Sequence, residues 1–396
     1  MQKATYVGAM KIAIAGAGIG GLAAAALLAQ DGHSVTVFDQ FHTPRPVGSG
    51  LVIQPVGRAV LKTAGADAAI GLGVPIARME GIEAETGRQV LGVSYGHDPD
   101  RYGLAIHRAA LHHSLLGAAR KAGAQTEFAH RVAGHTGPRL AFTDKPAQSF
   151  DLIVDALGAG SVLSPLKARD LPFGAVWATV EWPEGTTLPL DQLCQRYRRA
   201  DRMVGILPVG QMPDDPTLRA TIFWSLPAEA ERVWRAAPLG PWRDEVIALW
   251  PEAEPFFHSG LSHGDFTFAR YTHGSLRRPY SEHVVHIGDA AHRASPQLGQ
   301  GANMALLDAR ALQLALRRPD DPLRRYAQAR RWHVAAYQAL SAAFTPQYQS
   351  HSQLLPVLRD HVLAPISRVP PMPWILSHLV CGDLLPPMPS LTPLRR

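Results

Sequence analysis

The sequence predicts an α/β fold in which a parallel-sheet domain, discontinuous along the chain, is interrupted by a β-sheet domain and followed by a helical segment. Three observations predict it. The chain opens on a strand-helix-strand run, its middle changes to separated β-rich runs, and a strand and helix of the opening type return after His283.

The first element is the apolar run from Lys11 to Ala15, a buried strand that ends in a glycine cluster. Leu22 to Gln30 is alanine-rich and helical, and Ser34 to Phe38 is a second strand, which completes a βαβ opening. A helix follows at Gly57 to Ala64. A hairpin-like stretch then runs from Ile76 to Tyr95, turning near Glu85-Thr86-Gly87-Arg88. Arg108 to Gly123 is an amphipathic helix and Phe150 to Ala156 another buried strand. From Gly174 to Phe268 come β-rich runs at Ala175 to Trp182, Arg202 to Leu207 and Thr217 to Leu226, with one helix around Ala228 to Trp250. The strand His283 to Ile287 and the helix Gly301 to Arg317 restore the first pattern. After Pro322 the chain reads helical to about Ala343, and the tail from Pro365 is proline-rich and apolar. The expected division is residues 10–75, 96–172 and 276–325 in the nucleotide-binding domain, 76–95 and 173–275 in the substrate domain, and 326–396 in a C-terminal helical segment with its tail.

Composition narrows the class. The 396 residues exceed the usual single-domain size, and 46% hydrophobic against 18% charged residues with no long charge run is the profile of a globular enzyme. The net charge of +6 is spread over short doublets such as Arg198-Arg199, Arg317-Arg318 and Arg330-Arg331, which argues against nucleic-acid binding. Cys194 and Cys381 are far apart and lack metal-ligand spacing, so neither a disulfide framework nor a metal site is expected, and a reducing cytoplasmic setting is. No signal-peptide pattern precedes the first strand, and no apolar stretch reaches the roughly 18 residues of a membrane span.

The first chemical motif is Gly16-Ala17-Gly18-Ile19-Gly20-Gly21, a G-x-G-x-x-G between strand and helix. Glycines are required where the turn is tight and a pyrophosphate must approach backbone N–H groups at a helix N-terminus. Asp39 closes the second strand about 20 residues on, where a carboxylate can accept hydrogen bonds from a ribose diol. This pattern alone does not separate NAD from FAD. The second motif does: the strand His283 to Ile287 runs into Gly288-Asp289-Ala290-Ala291-His292, then Pro296-Gln297-Leu298-Gly299-Gln300-Gly301-Ala302-Asn303 and a helix.

With these residues the chain resembles the FAD-dependent monooxygenases of the para-hydroxybenzoate hydroxylase family, whose GD motif and following G-Q-G-x-N segment are matched nearly in full. The resemblance covers most of the chain to about residue 345, weakly in the middle. It implies a Rossmann-like FAD-binding domain and assigns Asp289 to the ribityl chain. The loop from Pro296 through Gly299, Gln300, Gly301 and Ala302 to Asn303 would lie at the flavin pyrimidine edge, where backbone N–H groups and a helix N-terminus stabilise negative charge. Arg108, in Ile106-His107-Arg108, is implied at the FAD phosphates, although an arginine at a helix start is by itself an ordinary solvated charge. Arg45 is implied to meet the flavin from the other side and to help gate its motion; with Pro296 and Gly299 it completes the expected catalytic set.

One stretch departs from the family. Its second nucleotide segment, a D-G followed by a serine and an arginine, corresponds here to Leu157-Gly158, Ser161 and Ser164. Gly158 and Ser161 survive. Leu157 in place of the aspartate puts nicotinamide use in question, with Asp155 a possible substitute from two residues away.

The expected substrate walls are Trp177, Thr179, Tyr197, Phe223 and Trp224, around a small apolar or aromatic molecule. Arg196, Arg198 and Arg199 either steer an acidic substrate or form a solvated strand edge, and none of the 18 histidines stands out as an acid or base. The tail from Leu363 faintly resembles the C-termini of ubiquinone-biosynthesis hydroxylases, implying peripheral membrane contact; packing on its own chain or a dimer contact would explain it equally. The family's activity is hydroxylation of an aromatic or polyketide-like carbon with NADH or NADPH and O2 through a flavin C4a-hydroperoxide, by a monomer or homodimer. A flavin oxidase or dehydrogenase on the same fold, or a flavin-binding sensor without turnover, are the alternatives.

Overall fold

The computed structural model describes residues 8–43, 49–96 and 98–391, so Arg45 lies outside the described residues. Five parallel strands form the first sheet, in the order Val284–His286, Leu152–Asp155, Lys11–Ala15, Ser34–Phe38 and Gln125–Glu127. The central strands Leu152–Asp155 and Lys11–Ala15 are covered on both faces, which is why they are almost wholly apolar, whereas the edge strand Gln125–Glu127 is polar. Ile12, Ile14, Val154 and Val285 face the helices, while Ala13, Ala15, Ile153 and Val284 face a small sheet formed by Val132–Thr136, Arg139–Phe142 and Gln148–Ser149. The helix Ile19–Gln30 packs between the helices Arg108–Lys121 and Gly301–Leu316. Every residue from Leu22 to Leu28 is fully buried there, so its alanines set a close approach rather than an amphipathic face.

The second large sheet has eight strands, ordered His292–Arg293, Thr267–Ser275, Arg169–Glu181, Asp215–Pro227, Arg202–Met212, Gln192–Arg198, Arg78–Glu83 and Gln89–Ser94. The early hairpin is thus a strand pair of this sheet, joined in parallel to Gln192–Arg198. One face, with Val176, Val204, Ile222 and Trp224, is sealed by Trp242, Trp250 and Phe256. The opposite face looks toward the first domain.

The structure differs from the sequence-based expectation at two places. The single helix expected around Ala228 to Trp250 is two, Glu231–Ala236 and Leu239–Leu249, because Pro238 forces Ala237 into extended backbone. The tail is also more ordered than its prolines imply. After the helix Pro322–Tyr348 come Leu354–Leu358, a π-helical turn Arg359–Leu363, Ala364–Ile366 and the helix Met372–Cys381. Pro373 sits in the first turn of its helix, where the missing N–H costs no hydrogen bond. Val380 and Cys381 then pack on Val93, Tyr95 and Leu207 of the second domain. Among the described residues, no helix is long and apolar enough to cross a membrane.

Candidate active site

The glycine turn assigns each glycine a separate reason. Gly16 has φ of +106° and a Cβ there would lie 2.5 Å from the Ala156 carbonyl oxygen. A Cβ on Gly21 would lie 2.0 Å from the Gly16 oxygen, so this glycine lets the helix start against the strand. At Gly20 a Cβ would press on Ala305 of the helix Gly301–Leu316, 3.1 Å away. Gly18 differs: nothing lies within 4 Å of its Cβ position, which leaves room for a ligand over the backbone. Asp39 caps the turn, accepting from the Ala17 N–H at 2.9 Å through Oδ2 and from the Phe41 N–H at 3.0 Å through Oδ1.

The second motif rests on a buried ion network. Asp308 is fully buried and accepts from the Gly288 N–H at 2.9 Å, His292 Nε2 at 2.6 Å and Arg330 Nε at 2.7 Å. Arg330 Nη1 also donates to the Pro387 carbonyl at 2.9 Å and to His333 Nδ1 at 3.2 Å, and His333 Nε2 donates to the Gly382 carbonyl at 3.0 Å. These two partners require neutral His333 with its proton on Nε2. Burial, reinforced by the Arg330 charge, pushes its pKa from 6.5 to about 4. The unfolded chain therefore takes up a proton between about pH 6.5 and 4 that the folded chain refuses, so stability falls as pH is lowered through that window. His107, His112 and His273 are displaced in the same direction, all mainly by burial. Thermal unfolding midpoints are expected to drop between pH 7 and 5, and less steeply in His333→Gln; an unchanged slope in that variant would remove His333 from the account.

This network fixes the backbone of Gly288, whose φ is +57°, and so aims Asp289. The Asp289 carboxylate opens into a cavity that Arg108 also lines. Surrounding protein raises its pKa by desolvation, against the charges of His292, Arg108 and Arg293. Arg108 is lowered by the same desolvation, against the Asp289 charge. The following loop turns at Gly299, φ +62°. Asn303 is fully buried: Oδ1 accepts from the Gln54 N–H at 2.8 Å, and Nδ2 donates to the carbonyls of Val52 at 3.1 Å and Gly299 at 3.0 Å. Gln300 Nε2 donates to the Val380 carbonyl at 2.7 Å. Their side chains thus hold the loop from behind instead of facing a ligand, while Pro296, Gly299, Gly301 and Ala302 line the cavity.

That cavity measures about 760 Å³ and is bounded by Gly18, Gly20, Arg108, Gly158, Asp289 and the 296–302 loop, which unites motifs from both ends of the chain. Gly158 and Gly301, like Gly18, have no atom within 4 Å of a Cβ position, so the backbone cradle fits a flat, phosphate-bearing cofactor. A family model described as "FAD binding domain" matches residues 9–139 and 242–340, together more than half of the chain. Kynurenine 3-monooxygenase of Xanthomonas euvesicatoria pv. vesicatoria (strain 85-10) is 30% identical over 368 residues, covering 83% of this chain and 77% of its own. The chain belongs to the FAD-dependent aromatic-hydroxylase family of monooxygenases. Its fold is shared by a variant of 2-methyl-3-hydroxypyridine-5-carboxylic acid oxygenase, with a TM-score of 0.77 at 20% identity over 94% of this chain and 97% of that one. Klebsiella pneumoniae HpxO complexed with FAD and uric acid superposes with a TM-score of 0.76 at 22% identity, covering 95% and 98%.

In this monooxygenase the segment that departs from the family pattern has a structural explanation. Asp155 is fully buried and accepts from His286 Nδ1 at 2.7 Å, the Ser161 hydroxyl at 2.7 Å and the Leu157 N–H at 3.2 Å. It does not replace the absent aspartate, because its carboxylate ties two neighbouring strands together. The Leu157 side chain packs on the Phe38 and Phe142 cluster and leaves Ala156 and Gly158 at the cavity.

Of the expected substrate walls, Trp177 and Phe223 line the cavity, their rings 4.5 Å apart and tilted by 33°. Trp177 Nε1 donates to the Tyr271 hydroxyl at 3.2 Å, which orients the indole. The other three do not line it. Trp224 follows Phe223 on the strand and therefore points into the core on the opposite face. Thr179 is bonded to His107 Nε2 at 3.1 Å. Tyr197 is fully buried behind Tyr348, ring centroids 5.1 Å apart. Arg198 pairs with Asp201 at 3.0 Å and Arg196 stacks on Trp250 at 4.7 Å, so neither reaches the cavity. Sequence reasoning missed Met79, Leu91, Val93, Met203, Phe344 and Leu376 as walls. Alternation in the hairpin could have found Leu91 and Val93; Phe344 and Leu376 come from the C-terminal helices and carry no such signal.

Proposed function

We propose that this monooxygenase takes electrons from NADH or NADPH and uses O2 to hydroxylate a small aromatic substrate seated against Trp177 and Phe223. The observation that carries this is the continuity of one cavity from the glycine cradle, through Asp289 and Arg108, to a predominantly apolar, aromatic-walled chamber. Bound FAD supplies the two-electron redox chemistry and the activation of oxygen. The protein's part is placement and charge. Gly18 and the N-terminus of Ile19–Gln30 receive a pyrophosphate, and Arg108 adds a positive charge beside it. Asp289 accepts hydrogen bonds from sugar-alcohol hydroxyls. Gly299, Gly301 and Ala302 bring the N-terminus of Gly301–Leu316, whose first N–H groups lack intrahelical partners, to the cavity, where it stabilises developing negative charge. The apolar walls exclude water.

Asp289→Ala is expected to weaken FAD binding by roughly 10- to 100-fold, the worth of hydrogen bonds to a charged acceptor, with little change in folding. Flavin fluorescence titration checks this, and wild-type affinity in the variant would remove Asp289 from the cofactor site. The activity itself is tested by anaerobic stopped-flow mixing of the FAD-loaded protein with NADH or NADPH, with and without a panel of phenolic, quinone-like and amino-aromatic compounds that includes kynurenine. Bleaching accelerated by one compound, followed by its stoichiometric hydroxylation on admitting O2, is the expected result. Failure of both nicotinamides to reduce the flavin with every compound would count against the proposal.

A further inference from the structure

We propose that Gln195 sets the specificity of the chamber, selecting aromatic molecules that carry an N–H beside a C=O, as in a lactam or a primary carboxamide. The inference rests on the reading of the cavity as the substrate chamber and adds to it the chemical class of the ligand. Strand register is the starting point. One row of paired residues crosses the second large sheet, running Trp177, Phe223, Gly205, Gln195, Gly81 and Leu91. Cys194, one position before Gln195, points into the core on the other face, so alternation directs Gln195 to the cavity that it lines. Both of its neighbours in the row are glycines. A Cβ on Gly205 would lie 2.0 Å from the Phe223 ring, and one on Gly81 would lie 2.4 Å from the Tyr197 ring. The two rings therefore take the places of the missing side chains and flank the glutamine.

Gln195 is polar in an apolar setting, with Met79, Leu193, Met203 and Leu207 lining the cavity on the strands around it. Outside the strand ladder its one bond is through the backbone, from Arg196 Nη1 to the Gln195 carbonyl at 3.3 Å; the side-chain amide has no partner among the described residues. The residue is 6% exposed. The unpartnered nitrogens of Gln54 and Gln349 are sealed within the protein, whereas the Gln195 amide keeps accessible surface, and that surface opens on the cavity. Holding an amide among apolar groups with neither end bonded to protein costs stability, which points to a ligand as its partner. The amide presents an acceptor, Oε1, and a donor, Nε2, side by side in one plane. A group that satisfies both at once carries a donor and an acceptor with the same spacing, which is a second amide in the cis arrangement. A carboxylate supplies acceptors alone and sets a negative oxygen against Oε1, while an ammonium supplies donors alone and leaves Nε2 unmatched. Since Trp177 and Phe223 stand in the same row, the paired bonds also fix the rotation of a ring seated against them.

The test compares isoindolin-1-one with phthalide, a lactam and a lactone of the same shape that differ only in N–H against O. Each is titrated into the FAD-loaded protein and followed by flavin difference absorbance. The lactam is expected to bind at least about tenfold more tightly, because the lactone loses one bond and turns its ring oxygen toward Oε1. Gln195→Met, unbranched and of similar length, is expected to bring the two affinities within about twofold of each other by weakening the lactam while leaving the phthalide Kd unchanged. Thermal unfolding supplies the second readout. The flavin-free variant should unfold no lower than the wild-type protein, since it removes an unmatched polar group, whereas a glutamine that served only to hold the sheet would lower the midpoint. If Gln195→Met does not fold, Gln195→Leu takes its place in the same assays. Equal affinities in the wild-type protein, a preference that survives the substitution, or a fall in stability together with phthalide binding would overturn the assignment to Gln195 alone. Binding of neither compound to the wild-type protein would defeat the substrate chamber as well.

Discussion

Asp308→Ala is expected to destabilise the protein by about 3–5 kcal/mol, the cost of breaking a buried ion pair by removing one partner. Arg330 has only 3% of its side chain exposed, so its charge would remain in the interior with the Pro387 carbonyl, His333 and the Met304 sulfur as partners and no counter-charge on Asp308. Burial by itself would raise the Asp308 pKa, but the charges of His292 and Arg330 and their hydrogen bonds outweigh it and hold the carboxyl well below its ordinary range. The folded pKa is therefore below the unfolded one. This contribution is present above about pH 4 and is lost as pH falls further. Equilibrium urea unfolding at pH 7 measures the loss. The control is the double variant Asp308→Leu with Arg330→Met, which removes both charges and is expected to be more stable than Asp308→Ala. Because Asp308 also anchors the Gly288 N–H, FAD affinity should fall in Asp308→Ala even where the variant remains folded. A loss below about 1 kcal/mol would mean that the pair does not hold the turn.

The features that were legible in the sequence are those where backbone geometry restricts residue type. Gly16 and Gly21 can be nothing larger, and the strand-to-helix spacing around them is local, so a short window reveals both the motif and its context. Gly288, at a φ of +57°, was legible for the same reason, whereas the role expected of Asp289 came from the family resemblance. The pocket walls were not, because alternation along a strand divides Phe223 from Trp224 without saying which face meets the cofactor. Asp155 shows the limit from the other side. A carboxylate near the expected position invites a functional role, but its partner His286 lies on a neighbouring strand 131 residues away, and only the register that sets them side by side reveals a structural tie. Arg330 and His333 sit in a stretch that reads simply as helix, and Arg359 lies between that helix and the proline-rich tail. Their burial depends on how the C-terminal helices close over the two domains, a tertiary fact with no local signature.

The glycine turn offers a second large effect, and a pair of variants separates its two causes. In Gly21→Ala the new Cβ would lie 2.0 Å from the Gly16 carbonyl oxygen and 3.1 Å from the Ala156 Cβ. Backbone on one side and the end of the central strand Leu152–Asp155 on the other cannot yield, so the turn must open, at an overpacking cost of about 1–3 kcal/mol or more in stability. An opened turn also displaces the N–H groups of the helix start, so FAD binding is expected to be lost together with stability. Gly18→Ala meets nothing within 4 Å in the protein, and Gly18 is at a negative φ of −76°, so folding should be nearly unaffected. Its methyl group would instead enter the space that a pyrophosphate needs, and FAD binding should weaken without a matching fall in thermal stability. Measured side by side as flavin content and apoprotein unfolding, the two variants should therefore fail differently. Equal destabilisation of the apoprotein by both would contradict the distinction between a glycine required by packing and one required by the ligand.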